Sequence, residues 1–532
     1  MLKIRQQTLL IFLVALWIGL FSNNAFFKHL FEIYPFSDNI IFDITVIINS
    51  ILFMNLVFLL FSSKYTTKPL LILMLLTAAF SNYFMTTYDV VIDHSMIENA
   101  VETSMKESLD LFSLNMVLYI LFLFVLPSIF IYFTPLQFGS LKMELKRKAQ
   151  SFILSLLVIV ITIVSQGDYY ATFFREHKQI RYYATPTFQI YSVKKFIKEK
   201  YFHKSVEFQH VAMDAKIDEP IPERELIVMV VGETARADRF SLNGYAKQTN
   251  PLLEQEDIIN FPQVSSCGTA TAKSVPCMFS LTQKKDYDST AVRNTDNVLD
   301  ILKRSGVNVL WRDNNSDSKG VALRVDYEDF QSSDTNPICD IECRDEGMLS
   351  GLQEYINTHP KGDIMIVLHQ MGNHGPAYYK RYPKRFEKFT PVCTTNQLEE
   401  CSKEEIDNAY DNAILYTDYF LKKVIDLLKR NNDFETAMVY MSDHGESLGE
   451  HGIYLHGMPD LLAPIEQTHV PSVLWFGDKV KGELKVDELK ANSKNSYSQD
   501  NLSHTLLGLF EVQSEYYKKE LDILEPFRKE ED

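Results

Sequence analysis

Hydrophobic and polar positions divide the chain into two unlike parts. In the first third, apolar residues come in long runs: about Thr8 to Phe27, Ile41 to Phe61, Leu70 to Ile92, Leu109 to Phe133 and Ala149 to Val164. Each approaches the roughly 20 residues that a helix needs to cross a bilayer, so five spans are predicted. Further along, the apolar runs shorten. ELIVMVVGE (225 to 233), VNVLWRD (307 to 313), DIMIVLHQ (363 to 370), TAMVYMSDHGE (436 to 446) and VPSVLWFG (470 to 477) read as strands of a sheet covered on both faces. Helical stretches at Asp296 to Ser305 and Ile406 to Arg430 separate them, which predicts a layered α/β domain. The intervening YYATFFREHKQIRYY and IYSVKKFIKEKYFHK mix aromatics with cations, a pattern suited to a membrane interface. The expected organisation is a membrane domain of five helices over 1–165, an interfacial linker with helices over 166–221, and a soluble α/β domain over 222–532.

A chain of 532 residues is too long for one ordinary core, in keeping with that division. Its net charge of −16 repels polyphosphate backbones and argues against a nucleic-acid partner. Charge also orients the membrane part. Lys3, Arg5, Lys64, Lys68, Lys142, Lys146, Arg147 and Lys148 fall on one side of the spans, and only Lys28 and Lys106 on the other. Cations are retained in the cytoplasm, so the amino terminus is expected inside and everything after about Ser165 outside. Lys3 and Arg5 before an apolar run would also suit a signal peptide, but a small-x-small cleavage site is missing and further spans follow. All six cysteines lie in the exported part. An oxidising compartment makes disulfides the natural reading, and the sequential pairs Cys267 with Cys277, Cys339 with Cys343 and Cys393 with Cys401 each close a short local loop.

Several predicted strands end in reactive residues. Glu233 ends the first, His374 follows the third in HQMGNHGP, Asp443 and His444 end the fourth, and His456 lies beyond it in HGIYLHG. Ligands of open α/β sheets bind beyond the carboxyl ends of the strands, so these tips are expected to converge. Two carboxylates and an imidazole make a donor set suited to zinc. A metal would activate a hydroxyl that is otherwise a weak nucleophile. SSCGTATAKSVPCMFS (265 to 280) supplies Thr269, Thr271 and Ser274, and Pro276 allows a helix to begin at SVPCMFSL. Those hydroxyls would then precede a helix N-terminus, which favours phosphate. Spacing alone does not separate the three. Lys319 in RDNNSDSKG reads as an exposed loop lysine. Asn99, Thr103 and Glu107 recur every four positions, as on one face of a solvated loop helix between the third and fourth spans.

GETARADRFSLNGYAKQTNPLL, SSCGTATAKSVPCMFS, WRDNNSDSKG, LHQMGNHGPAYYKRYP and SDHGESLGEHGIYLHG together resemble the lipid A phosphoethanolamine transferases. That family includes the mobile colistin-resistance enzymes, and its catalytic domain is of alkaline phosphatase/sulfatase type. The resemblance implies that Thr271 is the nucleophile, taking phosphoethanolamine from phosphatidylethanolamine and passing it to a phosphate of lipid A. It implies Zn2+ held by Glu233, Thr271, Asp443 and His444, one ion tightly and a second during turnover, with His374, His456 and Lys319 at the substrate or second metal. It also implies that Asn99, Thr103 and Glu107 bind the ethanolamine substrate, which replaces the solvated-helix reading. The expected protein is a monomer in the bacterial inner membrane, among membrane lipids, with its catalytic domain in the periplasm. Core heptose, Kdo, a glucan or a protein are the alternative acceptors. A sulfatase would need CxPxR or SxPxR, and SVPCM lacks the arginine.

Overall fold

The computed structural model describes residues 6–103, 105–201, 207–217 and 223–529. Lys3 and Arg5 lie outside the described residues, as do 202–206 and 218–222 of the expected linker. The chain forms two compact units, Met1–Ile97 with Phe112–Tyr201, and Glu98–Leu111 with Phe202–Asp532.

In the first unit, Phe36–Phe61, Thr67–Thr87, Leu114–Phe133 and Leu141–Ser165 are long and apolar enough to span a membrane. The first predicted span is not one straight helix. Gln7–Phe21 and Asn24–Ile33 meet at a 58° bend, and only as a pair do they supply a fifth crossing. Asn23 makes the bend: its Nδ2 donates to Ile18 O at 3.1 Å, capturing a carbonyl at the end of the first helix, and to Thr185 O at 3.0 Å. The other limits shift as well. The third helix stops at Thr87, short of Ile92. The fourth begins at Leu114, where Ser113 caps it by accepting from Met116 N, rather than at Leu109. The fifth starts at Leu141 behind the Ser140 cap and so carries Lys142, Lys146, Arg147 and Lys148 in its first turns. A π-turn at Leu121–Val125 precedes Pro127, whose missing N–H disturbs the helical ladder there.

The second unit is built on an eight-stranded sheet. In chain order its strands are β1 (Glu225–Gly232), β2 (Ile258–Ser265), β3 (Asn308–Asp313), β4 (Asp326–Asp329), β5 (Ile364–His369), β6 (Glu435–Ser442), β7 (His469–Phe476) and β8 (Tyr497–Ser498). Their spatial order is β8-β2-β7-β6-β1-β5-β3-β4, and only β7 runs antiparallel to its neighbours. The five predicted strands lie within about a residue or two of β1, β3, β5 and β7 and at the start of β6, whose predicted end at Glu446 overshoots Ser442. β2, β4 and β8 were not foreseen, because Pro262 interrupts the first, exposed acids dominate the second and the third is only two residues long.

The continuous apolar character of β1 follows from burial on both sides. Ile227, Met229 and Val231 enter one core cluster, and Leu226, Val228 and Val230 the other. Helices Val298–Arg304 and Lys403–Lys429 cover the sheet, and each opens with a capping box, Asn297 with Asp300 and Ser402 with Glu405. The disulfides are Cys267–Cys277, Cys339–Cys343 and Cys393–Cys401, the sequential pairs expected.

At the amino end of β1, Glu225 is buried beside Glu435 and Asp363. Burial, and then the hydrogen bond and charge of Asp363, push its carboxyl up to about 10. Between the unfolded value of about 4.3 and that raised value, folding takes up a proton. Glu225 therefore costs more stability as pH rises through this window. Glu225→Gln is expected to raise Tm by about 2 °C or more at pH 8 and to have no effect near pH 4. A flat difference across pH in thermal unfolding of the purified protein would contradict this.

Candidate active site

The register of the central strands brings the acidic residues together. Gly232 on β1 lies opposite Ser442 on β6, so the next residues, Glu233 and Asp443, leave adjacent parallel strands side by side. Both, with His444, are fully buried. The backbone turns sharply after Glu233, with Thr234 in the left-handed region at φ 51°. Thr234 N donates to Asp443 Oδ1 at 3.2 Å, and His444 N donates to the same oxygen at 2.7 Å. Gly372 lies against this turn, also at positive φ, where a Cβ would come within 2.8 Å of Glu233 O.

Thr271 completes the cluster. Its Oγ1 donates to Glu233 Oε2 at 3.1 Å and lies 3.3 Å from His444 Nε2. The helix begins at Thr271 itself and runs to Met278, three residues earlier than the proline suggested, so Pro276 is inside it. The other two hydroxyls are engaged in the loop. Thr269 Oγ1 donates to Met458 O at 2.7 Å, and Ser274 Oγ accepts from Gly268 N at 3.1 Å.

Among the described residues, Glu233, Asp443 and His444 are the one group able to hold a metal ion, with ligand atoms within 4.8 Å of one another. The donor chemistry fits. His444 Nδ1 donates to Gly445 O at 2.9 Å, which leaves the Nε2 lone pair facing the carboxylates. Burial holds this imidazole below its ordinary pKa, in the neutral form that a metal requires. Asp443 Oδ2 is buried and accepts no hydrogen bond among the described residues.

The histidines foreseen in the sequence lie beside this cluster. The His456 ring is 4.5 Å from that of His444 and 5.3 Å from that of His374. Glu446 fixes His456 through Nδ1 at 2.7 Å and accepts from Tyr378 OH at 2.7 Å. Burial, followed by His456, Arg381 and His444, pushes His374 well below the usual imidazole range. Lys319 is not an exposed loop lysine. It is buried at a left-handed φ of 51°, and Nζ donates to Glu102 O at 3.3 Å.

Asn99 and Thr103 are partly buried, and Thr103 Oγ1 donates to Asn99 O at 2.7 Å. The Glu107 side chain lies outside the described residues. The segment is two short helices, His94–Glu102 and Met105–Asp110, so the three positions do not share one continuous helical face.

Sequence reading missed three supporting residues. Asn315 donates from Nδ2 to Glu233 Oε2 and to Gln370 O, both at 2.8 Å. Gln499 accepts from Cys267 N at 2.6 Å and donates to Ser442 O and Asp443 O, joining the disulfide loop to the β6 tip. Glu446 is the third. Asn315 and Glu446 stand in quoted motifs, but nothing local to Gln499 marks it.

Comparison with known proteins places this geometry in context. The Sulfatase family matches residues 225–512, and the family described as phosphoethanolamine transferase EptA/EptB matches residues 50–201. The chain is 43% identical over 513 residues to phosphatidylethanolamine transferase Mcr-2 of Escherichia coli, covering 94% of each chain. It is 39% identical to phosphoethanolamine transferase EptA of Escherichia coli strain K12, covering 97% of this chain and 96% of that one. The solved integral membrane lipooligosaccharide phosphoethanolamine transferase A of Neisseria meningitidis superposes with a TM-score of 0.95 at 36% identity, covering 98% of this chain and 99% of that one.

Glu233→Gln and Asp443→Asn are expected to abolish divalent-metal retention, measured by elemental analysis after dialysis against a chelator. Asn315→Ala, which removes only a partner of a ligand, is expected to weaken metal affinity by about 10- to 100-fold. Wild-type metal content in both carboxylate variants would remove the metal centre from consideration.

Proposed function

The chain belongs to the phosphoethanolamine transferase family, and on that premise we propose that it transfers phosphoethanolamine from phosphatidylethanolamine to a phosphate of lipid A. The observation that carries this reading is the Thr271 hydroxyl, donating to Glu233 and abutting His444 in a buried acidic site. The names of the relatives and of the superposing structure supply the transferred group and the class of acceptor.

In the first half-reaction Thr271 Oγ1 attacks phosphorus and its proton passes to the carboxylate oxygen that accepts from it, Glu233 Oε2. The bond from phosphorus to the glycerol oxygen breaks, diacylglycerol leaves, and phosphoethanolamine remains esterified to Thr271. In the second, a lipid A phosphate oxygen attacks the same phosphorus, the bond from phosphorus to Thr271 Oγ1 breaks, and Oγ1 takes back the proton held by Glu233. Zinc held by Glu233, Asp443 and His444, with Thr271 joining them, would lower the hydroxyl pKa and stabilise charge on the phosphoryl oxygens.

Glu446 orients His456 through Nδ1, leaving Nε2 to exchange a proton with the leaving alkoxide. His374, neutral through burial, and Lys319 would contact phosphoryl oxygens; when a second metal enters, His374 and His456 would hold it in place of these roles. Asn99, Thr103 and Glu107 would bind ethanolamine; Glu98–Leu111 belongs to the same compact unit as Thr271, which supports that assignment.

The setting is the bacterial inner membrane with the catalytic half in the periplasm, where three disulfides persist. Both proposed lipids carry acyl chains that are costly to draw into water, which accounts for membrane spans on such an enzyme. Adding an ammonium group to lipid A lowers surface negative charge, so polymyxins and other cationic peptides bind less well.

Expression in a Gram-negative host should add one phosphoethanolamine mass to lipid A by mass spectrometry. Thr271→Ala is expected to abolish the gain, and Thr269→Ala to retain part of it. Modification confined to a core sugar would move the acceptor, and full activity of Thr271→Ala would overturn the nucleophile.

A further inference from the structure

Pro276 leaves a gap in the helix that begins at Thr271. A proline has no N–H, so the carbonyl four residues earlier, that of Ala272, loses its helical partner. Arg293 takes its place, with Nη2 donating to Ala272 O at 3.1 Å. The same guanidinium reaches two carboxylates on the Glu98–Leu111 segment: Nη1 lies 3.1 Å from both Glu102 Oε1 and Glu98 Oε1. Glu98 and Glu102 stand one turn apart on His94–Glu102, and the Glu102 carbonyl accepts from Lys319.

The far end of the segment is held in a similar way. Asp110 pairs with Lys380, and Arg381 Nη2 donates to Asp110 Oδ2 at 2.8 Å. Arg381 Nε in turn donates to His374 O at 2.6 Å. A guanidinium thus stands between the segment and each flank of the site, and each holds a backbone carbonyl at or next to a site residue.

We infer that Arg293 is a positioning residue that ties the Glu98–Leu111 segment to the first turn of the Thr271 helix and thereby aims the Thr271 hydroxyl at Glu233 and His444. This rests on the reading of Thr271 as the attacking group. Ala272 follows Thr271 directly, so displacement of its carbonyl displaces the hydroxyl. Arginine suits the role because its planar fork presents donors in fixed directions to a carbonyl and to carboxylates together, whereas lysine offers a single point charge. Asn99 and Thr103 lie in the same short stretch as Glu98 and Glu102, so a headgroup held there and the aim of Thr271 are coupled through one side chain.

The test is the single-turnover rate of phosphoethanolamine addition to Thr271, followed by intact-protein mass spectrometry on the full chain with phosphatidylethanolamine in mixed micelles. Misplacement by about 1 Å costs on the order of 100-fold, so Arg293→Ala should slow adduct formation at least about tenfold, with the donor KM within about twofold and metal content unchanged. Pro276→Ala restores an N–H to Ala272 O, so Arg293→Ala/Pro276→Ala should recover to within about threefold of wild type. Glu98→Gln/Glu102→Gln, which keeps the guanidinium, should slow the step at least about threefold and add little to Arg293→Ala.

A wild-type rate in Arg293→Ala, or a slow rate that Pro276→Ala leaves unchanged, overturns the proposal. If Arg293→Ala does not fold, the Glu98/Glu102 pair decides: a loss supports the coupling and a wild-type rate overturns it. Adduct formation by Thr271→Ala would instead overturn the underlying reading, whatever Arg293 does.

Discussion

Two carboxylates buried side by side are the constraint on which the catalytic half depends. Glu233 and Asp443 have no solvent exposure, and the nearest ionisable partner, His444, is held toward its neutral form by burial. Removing a charge from water costs several kcal/mol even after relaxation, a cost that a cation held by these residues would offset. The surroundings are organised to keep the acids in place. The left-handed turn at Thr234, the close approach of Gly372, the amide of Asn315 and the bridge through Gln499 each hold one of these acids or the strand tip that carries it. Parallel register does the rest, because it puts the carboxyl-terminal tips of both strands at the same end of the sheet.

Much of this was legible in the sequence, for a reason particular to buried parallel strands. Apolar runs covered on both faces announce themselves, and a charged residue ending such a run is conspicuous. Glu233, Asp443 and His444 could therefore be singled out before any geometry was known. The hydroxyl could not, since Thr269, Thr271 and Ser274 are equivalent on spacing and the difference between them is one of direction. The loop turns Thr269 onto Met458 O and Ser274 onto Gly268 N, leaving Thr271 toward the acids. The early start of the helix was hidden by Pro276, which reads as a first-turn residue but sits in the body of the helix, where Arg293 compensates for the missing N–H.

Other features were illegible because they depend on long-range partners. Lys319 reads as a loop lysine, yet it is buried and its ammonium donates to the carbonyl of Glu102, more than two hundred positions earlier. Gln499 joins segments that local composition does not connect. In the membrane unit, length and hydropathy locate the apolar stretches, yet the bend at Asn23 depends on a side chain that captures Ile18 O and is itself held by Thr185. An asparagine within an apolar run carries no sign of which carbonyl it will take.

The Glu98–Leu111 segment lies between two apolar spans in sequence yet belongs to the same compact unit as Thr271. Its carboxylates at Glu98, Glu102 and Asp110 meet Arg293, Lys380 and Arg381, so the contact is built from ion pairs rather than apolar packing. Exposed pairs of this kind contribute little stability, but these are partly buried and shared with backbone carbonyls beside Thr271 and at His374. Their value is therefore directional. An apolar contact would hold the loop near the site without fixing its orientation, whereas a planar guanidinium bound on two edges transmits the position of one partner to the other. The segment proposed to contact the headgroup is thereby tied, through one guanidinium, to the first turn of the helix that carries Thr271.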